Sequence, residues 1–162
     1  MIQCITVFFN QLQYERCGWS GGMIGAAYIL STVMEMSSAG SDGFTRRLGQ
    51  RKAGLTLLIV SAGGCILLAL TRSGWLSLAC ILLLCLSSAL FGPLSAAMEN
   101  QLITVEDRAT ALSMSSLLRD SAAVMLNLLL GHAADVSLPG AFLLCGGLCV
   151  AASVLFKRAA KA

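Results

Sequence analysis

The sequence predicts an all-α protein, a polytopic bundle of transmembrane helices. Hydrophobic residues make up 57% of its 162 residues and charged residues only 12%, whereas a soluble domain usually carries about 25% charged residues. The apolar residues come in long blocks, and most of the charged residues fall between them. There is too little charge to cover a soluble surface, so we expect an integral membrane protein whose single transmembrane domain covers residues 1–162.

Three of the apolar blocks contain no charged residue. A transmembrane helix needs about 20 predominantly apolar residues to cross ~30 Å of hydrocarbon, and each of the three has about that length. They cover residues 53–71, 73–98 and 136–156. We therefore expect three helices that cross the membrane, with a kink at Pro93 near the end of the second.

Two further spans are predicted at residues 18–40 and 108–134, which are apolar but contain ionisable residues. The first has Glu35 near its end, and the second has Arg119 and Asp120 side by side in its middle. A charged side chain at the centre of a bilayer costs about 2.5 to 3.5 kcal/mol on insertion scales. These charged side chains therefore require a partner or a polar environment within the membrane.

The first residues of the chain predict a partial span. At 1.5 Å per residue, a helix over residues 1–13 reaches only ~20 Å, which is less than a full crossing. The prediction is therefore five complete spans and one partial N-terminal span. We expect the chain to be the C-terminal part of something longer.

The basic residues predict the orientation of the bundle. Cytoplasmic loops carry an excess of Lys and Arg, and eight of the eleven basic residues fall on one side if alternate connections share a side. These eight are Arg46, Arg47, Arg51, Lys52, Arg108, Lys157, Arg158 and Lys161. We expect this side, which includes the C-terminus, to be the cytoplasmic side of a plasma membrane, specifically a bacterial inner membrane.

The cytoplasmic segment "SDGFTRRLGQRK" at residues 41–52 resembles the loop between the second and third helices of each half of major facilitator superfamily transporters. The pattern of that family is roughly G-x-x-x-D-R-x-G-R-R/K. The basic and glycine residues that carry the resemblance are Arg46, Arg47, Gly49, Arg51 and Lys52. Asp42 stands where the family has its first glycine, and Arg46 stands where it has its aspartate. Such departures are similar to the degenerate copy in the second half of the family.

A second resemblance agrees with the first. Residues 103–119, "ITVEDRATALSMSSLLR", resemble the segment that leads into the eleventh helix of the family, and residues 130–148 resemble its exit into the twelfth. The resemblance covers essentially the whole chain and identifies it as a C-terminal half, from the end of helix seven to helix twelve.

This resemblance implies a secondary transporter, ion-coupled or facilitative, that holds a small-molecule substrate between two halves and exposes it alternately to each side. The partner would be the missing N-terminal half or another membrane polypeptide. The segment at residues 41–52 would hold a gate closed against that partner.

Arg119 is the first candidate for a substrate or ion pathway. It lies ~16 Å along its helix from Arg108, at 1.5 Å per residue, close to the middle of a bilayer. Such a residue should face protein or a wet cavity and have a partner, and the resemblance makes Glu35 a candidate for that partner. Asp120 projects about 100° further round the helix. The charges either line a path that binds a polar group or relays protons, or form a structural ion pair.

Three amides are further candidates for the path. Asn127 lies two turns beyond Asp120 and either faces the same side or makes a hydrogen bond to another helix. Gln3 and Asn10 lie seven residues apart on the partial first span, whose counterpart in the family lines the cavity.

Nothing in the sequence indicates an enzyme, a cofactor or a metal site. The chain has seven cysteines without a CxxC pair and a single histidine. Cys145 and Cys149 lie four residues apart, which would suit a soft metal, but we interpret them as packing residues. There is no basic patch interleaved with aromatic residues, so we expect no nucleic-acid partner. The expected partners are the lipid bilayer, a small-molecule substrate and another membrane polypeptide.

Two other function classes are compatible with the sequence. One is a small integral membrane protein that assembles or regulates other membrane proteins without transport of its own. The other is a compact homo-oligomeric efflux protein. The partial first span argues against a complete independent unit in both cases.

Overall fold

The computed structural model of the chain describes residues 5–36, 41–102 and 108–159, and within these ranges it contains helices and no strand. A π-helical turn over Ile5–Phe9 leads into the first α-helix. The α-helices are α1 (Asn10–Arg16), α2 (Gly21–Glu35), α3 (Ser41–Leu48), α4 (Gln50–Leu70), α5 (Gly74–Leu102), α6 (Arg108–Val136) and α7 (Leu138–Ala159). The predicted all-α class is confirmed.

Within the described residues, three helices are long and apolar enough to cross a membrane by length and composition. They are Gln50–Leu70, Gly74–Gln101 and Leu138–Arg158. These correspond to the three charge-free spans of the prediction, and they indicate a location in a membrane. The predicted count of five full spans stays a prediction, because the other two helices differ from these three.

The two remaining long helices do not combine the length and the apolarity needed to cross a membrane, and the reason differs between them. α2 has 15 described residues and reaches ~22 Å at 1.5 Å per residue. α6 has 29 residues and is long enough, but Arg119, Asp120 and Asn127 make it more polar than the three apolar helices.

α4 lies at the centre of the bundle and packs against both α5 and α7. Glycines on these helices allow the close approach. A methyl group on Gly64 would lie 3.2 Å from Cδ2 of Leu84 on α5, and one on Gly146 would lie 3.1 Å from Cγ1 of Ile66 on α4. Small residues at helix interfaces let backbones approach closely, which is how helices in membranes gain packing energy.

The N-terminal segment packs into the same core. Tyr14 is fully buried and stacks on Trp19 with 5.0 Å between ring centroids. Trp19 in turn meets Trp75 of α5 edge-on at 5.3 Å. The predicted partial span is thus helical in its described part and is held by aromatic contacts at one end of the bundle.

The segment at residues 41–52, which resembles a loop of the family, is helical on both sides of Gly49, since α3 ends at Leu48 and α4 begins at Gln50. α3 ends because Gly49 adopts a φ of +80°, which side chains other than glycine rarely adopt. The amide of Gly49 donates to the carbonyl of Thr45 at 2.8 Å, and its carbonyl accepts from the amide of Ala53 at 2.9 Å. The backbone therefore turns at Gly49 between two helices, and both the amide and the carbonyl of Gly49 make a hydrogen bond.

Candidate functional site at the basic end of the bundle

Arg119 forms an ion pair with Glu99. Its Nη2 atom lies 2.8 Å from Oε2 of Glu99, and the two side chains are 55% and 34% exposed. The structure therefore does not pair Arg119 with Glu35, which is exposed at the end of α2. Glu99 follows immediately after the predicted span at residues 73–98, so the span boundary excluded it from consideration.

The ion pair lies toward the end of the bundle that carries α3. Ala97 of α5 lines a groove together with Arg46 and Gly49, and Glu99 is only two residues further along the same helix. From Gly74 to Glu99, α5 extends ~38 Å at 1.5 Å per residue, which exceeds the ~30 Å of bilayer hydrocarbon. The length of α5 thus favours a position for Arg119 near this end, whereas counting from its own helix start predicted the midplane.

The groove at this end has a volume of about 390 Å³ and is bordered by α3, the Gly49 turn and α5. Its lining residues are Thr45, Arg46, Gly49, Gln50, Pro93, Leu94 and Ala97. A guanidinium group, an amide and a hydroxyl face an apolar wall here, so the groove suits an anionic or hydrogen-bonding group attached to an apolar body. Two residues of the predicted gating motif, Arg46 and Gly49, thus lie together in one groove.

The other motif residues, Arg47, Arg51 and Lys52, are exposed at the same end of the bundle. They concentrate positive charge around the groove and the start of α4. Such clustering creates a positive potential at this end of the bundle.

α6 exposes most of its surface. It packs mainly against α7, and Leu130 is the one buried residue among its described side chains. Asp120 and Asn127 are exposed on this helix. Asn127 also borders a second cavity of about 380 Å³, which the aromatic rings of Phe8 and Phe9 close on the side of the N-terminal segment.

Asn10 makes hydrogen bonds that fix the N-terminal segment to α2. It is buried, its Nδ2 donates to the carbonyl of Thr6 at 2.6 Å, and its Oδ1 accepts from the hydroxyl of Tyr28 at 2.8 Å. These contacts fit a structural role better than contact with a substrate. Gln3, the other candidate on this segment, lies outside the described residues.

Gln13 is a buried polar residue that the sequence reasoning missed. Its Nε2 donates to Oγ of Ser77 at 3.0 Å and to the carbonyl of Thr71 at 3.2 Å. Its Oε1 is buried and has no hydrogen-bond partner among the described residues. The spacing of three residues from Asn10 placed Gln13 on the same helix face, and that spacing could have identified it.

Comparison with known proteins finds no family model, no curated protein and no solved structure that matches this chain. Residues 5–36, 41–102 and 108–159 thus define a class, a helical bundle with three helices of membrane-spanning length and apolarity. The resemblance to major facilitator transporters rests on the sequence motifs.

Proposed function

We propose that the chain transports a small solute across a membrane, as the C-terminal half of a major facilitator-type secondary transporter. Its work is binding and alternating access, without chemical conversion of the solute. The observation that carries the proposal is the polar face of α6. Asp120 and Asn127 lie seven residues apart, which is nearly two full turns, so they share this face, and both are exposed.

Exposed polar groups on a membrane helix need a polar environment. Asp120, next to Arg119, lies toward the basic end of the bundle, and Asn127 lies ~10 Å further along α6 at 1.5 Å per residue. Polar and charged side chains within a membrane face the bundle interior or a water-filled cavity. The face of α6 with Asp120 and Asn127 is therefore covered by water or by another membrane segment. A transporter of two halves supplies both, because its solute path lies at the interface of the halves.

The ion pair of Arg119 with Glu99 makes Asp120, rather than Arg119, the charged group that contacts the solute in this proposal. Because the carboxylate of Glu99 neutralises Arg119, Asp120 remains as an ionisable group within α6, away from its C-terminal end, that makes no ion pair among the described residues. A carboxylate on the path binds a proton or a cationic group of a solute. Asp120 is thus the residue that couples transport to protons or recognises a cation.

The groove around Arg46 and Gly49 supports the second part of the proposal. In a closed state it would receive an acidic or polar side chain of the opposite half, which is an N-terminal half or a second membrane polypeptide. The basic residues around the groove support the proposal that this end, with the C-terminus, lies on the cytoplasmic side of a plasma membrane under the positive-inside rule.

Cysteine labelling of α6 tests the proposal. Asn127→Cys, on the polar face, is compared with Met125→Cys, two residues away and about 200° round the helix. Met125 is 74% exposed, so contacts within the bundle protect neither position. Each variant is made in a background in which the natural cysteines are replaced by alanine, and is treated with a charged, membrane-impermeant thiosulfonate.

Labelling is measured in right-side-out and in inside-out membrane vesicles. Alternating access predicts that Asn127→Cys reacts in both orientations, while Met125→Cys, in contact with lipid, reacts in neither. Reaction from one side only would contradict alternating access. If neither variant reacts, the polar face is covered on both sides, as in an assembly or regulatory protein, and the transport proposal is wrong.

A further inference from the structure

Three cysteines from two helices meet in the core of the bundle. The Sγ atoms of Cys65 on α4 and of Cys145 and Cys149 on α7 all lie within 4.8 Å of one another. All three residues are fully buried. Cys145 and Cys149 share a face of α7 because they are four residues apart, and Cys65 faces them from α4.

The backbone contact beside these cysteines explains why the thiols meet. Gly146 lies between the two cysteines of α7, and a methyl group there would lie 3.5 Å from Cβ of Cys65 and 3.1 Å from Cγ1 of Ile66. The absence of a side chain at Gly146 lets α7 approach α4 closely enough for the three sulfur atoms to converge.

We propose that Cys65, Cys145 and Cys149 form a three-sulfur binding site for a soft monovalent metal ion, Cu(I) or its chemical analogue Ag(I). Taking ~2.3 Å as a metal–sulfur distance, three sulfur atoms around one ion in a plane lie about 4 Å apart. The observed separations need only small side-chain rotations to reach this geometry. The site is independent of the transport function proposed above.

The donor set selects the ion. Thiolates are soft ligands that favour Cu(I), zinc and iron–sulfur clusters. Zinc is bound by four protein ligands at a structural site, and by three protein ligands and a water molecule at a catalytic site. Iron–sulfur clusters are usually held by ~4 cysteines. The three buried cysteines supply three sulfurs, and no fourth His, Cys, Asp or Glu joins them among the described residues. A three-coordinate soft ion fits this arrangement.

Charge also favours a monovalent ion. Metal binding requires deprotonation of a thiol and releases its proton. One thiolate, two thiols and one monovalent cation form a neutral complex, with one S–H proton released to the solvent. A buried charge without a partner is costly, so the apolar core favours the ion that reaches neutrality with the fewest deprotonated thiols.

Silver binding by the purified chain tests the site. The reduced protein in detergent is loaded with Ag(I) nitrate in chloride-free buffer, dialysed against a soluble competing thiol and analysed for bound silver. We expect about one ion per chain in the wild type and at least a tenfold loss in Cys145→Ala/Cys149→Ala and in Cys65→Ala. The matched control Cys80→Ala/Cys85→Ala also removes two buried thiols and should keep the ion.

Three results would overturn the proposal. Undiminished silver in Cys145→Ala/Cys149→Ala shows binding elsewhere, and equal losses in that variant and in the control show unspecific thiol binding. Undiminished silver in Cys65→Ala excludes a third ligand from α4. Circular dichroism verifies the fold of each variant. X-ray absorption of the Cu(I)-loaded wild type gives a second test without substitution, in which three sulfur neighbours support the site and nitrogen or oxygen neighbours contradict it.

Discussion

Replacing Gly146 by alanine tests the close contact between α4 and α7. The added methyl carbon would lie 3.1 Å from Cγ1 of Ile66 and 3.5 Å from both the carbonyl oxygen of Ala62 and Cβ of Cys65. The optimal separation of two carbon atoms is about 3.5–4.0 Å, so the contact with Ile66 would be short by roughly half an ångström. The side chain or the helix must therefore move, and overpacking of this kind costs about 1–3 kcal/mol.

Gly147 provides a matched control in the same helix. A methyl group there would meet nothing within 4 Å. Both glycines lie inside α7, so both substitutions gain about the same 0.8–1.0 kcal/mol that alanine contributes over glycine in a helix. We expect Gly147→Ala to be at least as stable as the wild type, and Gly146→Ala to have a free energy of unfolding about 1–3 kcal/mol below that of Gly147→Ala.

The assay is unfolding of the purified chain by sodium dodecyl sulfate in mixed micelles, followed by far-ultraviolet circular dichroism. The difference between the two variants isolates the steric cost, because the change in helix propensity cancels. Equal free energies of unfolding would refute the close approach of α4 and α7. They would also remove the reason for placing Cys65 beside the two cysteines of α7.

Two further predictions concern polar contacts. Gln13→Leu should lower the free energy of unfolding by about 1–3 kcal/mol, because the carbonyl of Thr71 loses a buried donor, while exposed Gln11→Leu should change it by less than about 0.5 kcal/mol in the same detergent titration; equal effects would contradict the buried contact. A double-mutant cycle of Arg119→Gln and Glu99→Gln should give a coupling of about 0.2–1 kcal/mol that falls between 0.1 M and 1 M salt, as screening requires. A larger coupling that salt does not change would place the pair inside the bundle.

The three helices that contain the charge-free blocks were predictable because the composition of each block is sufficient to indicate a helix. The span predicted at residues 53–71 corresponds to Gln50–Leu70, and the span at residues 73–98 begins within a residue of the observed Gly74. A long apolar block forms a helix in a membrane because every backbone group must find its hydrogen bond within the segment. Neighbouring helices do not alter this requirement, so the local sequence is sufficient to predict each helix.

The side-chain contacts between helices were not predictable in the same way. Cys65 lies 80 residues before Cys145 in the sequence, and only the packing of α4 on α7 brings them together. Glu99 was missed because it lies just outside a block of apolar residues, where charges are ordinary. Small residues such as Gly146 determine which helices are in contact and at which positions along their axes. Their role can be recognised only when the partner helix is known.

The structure separates the surroundings of two adjacent charges on α6. The guanidinium of Arg119 reaches Glu99 near the end of α5, where the basic groove also lies, so this charge stabilises the position of α6 against α5. Asp120 projects about 100° away from this contact. It lies on the face of α6 that also exposes Asn127. α6 is thus held to α5 by an ion pair 11 residues after its first residue, and otherwise packs mainly against α7. The transport proposal requires that α6, as one wall of an alternating-access path, keeps few contacts with the rest of the bundle.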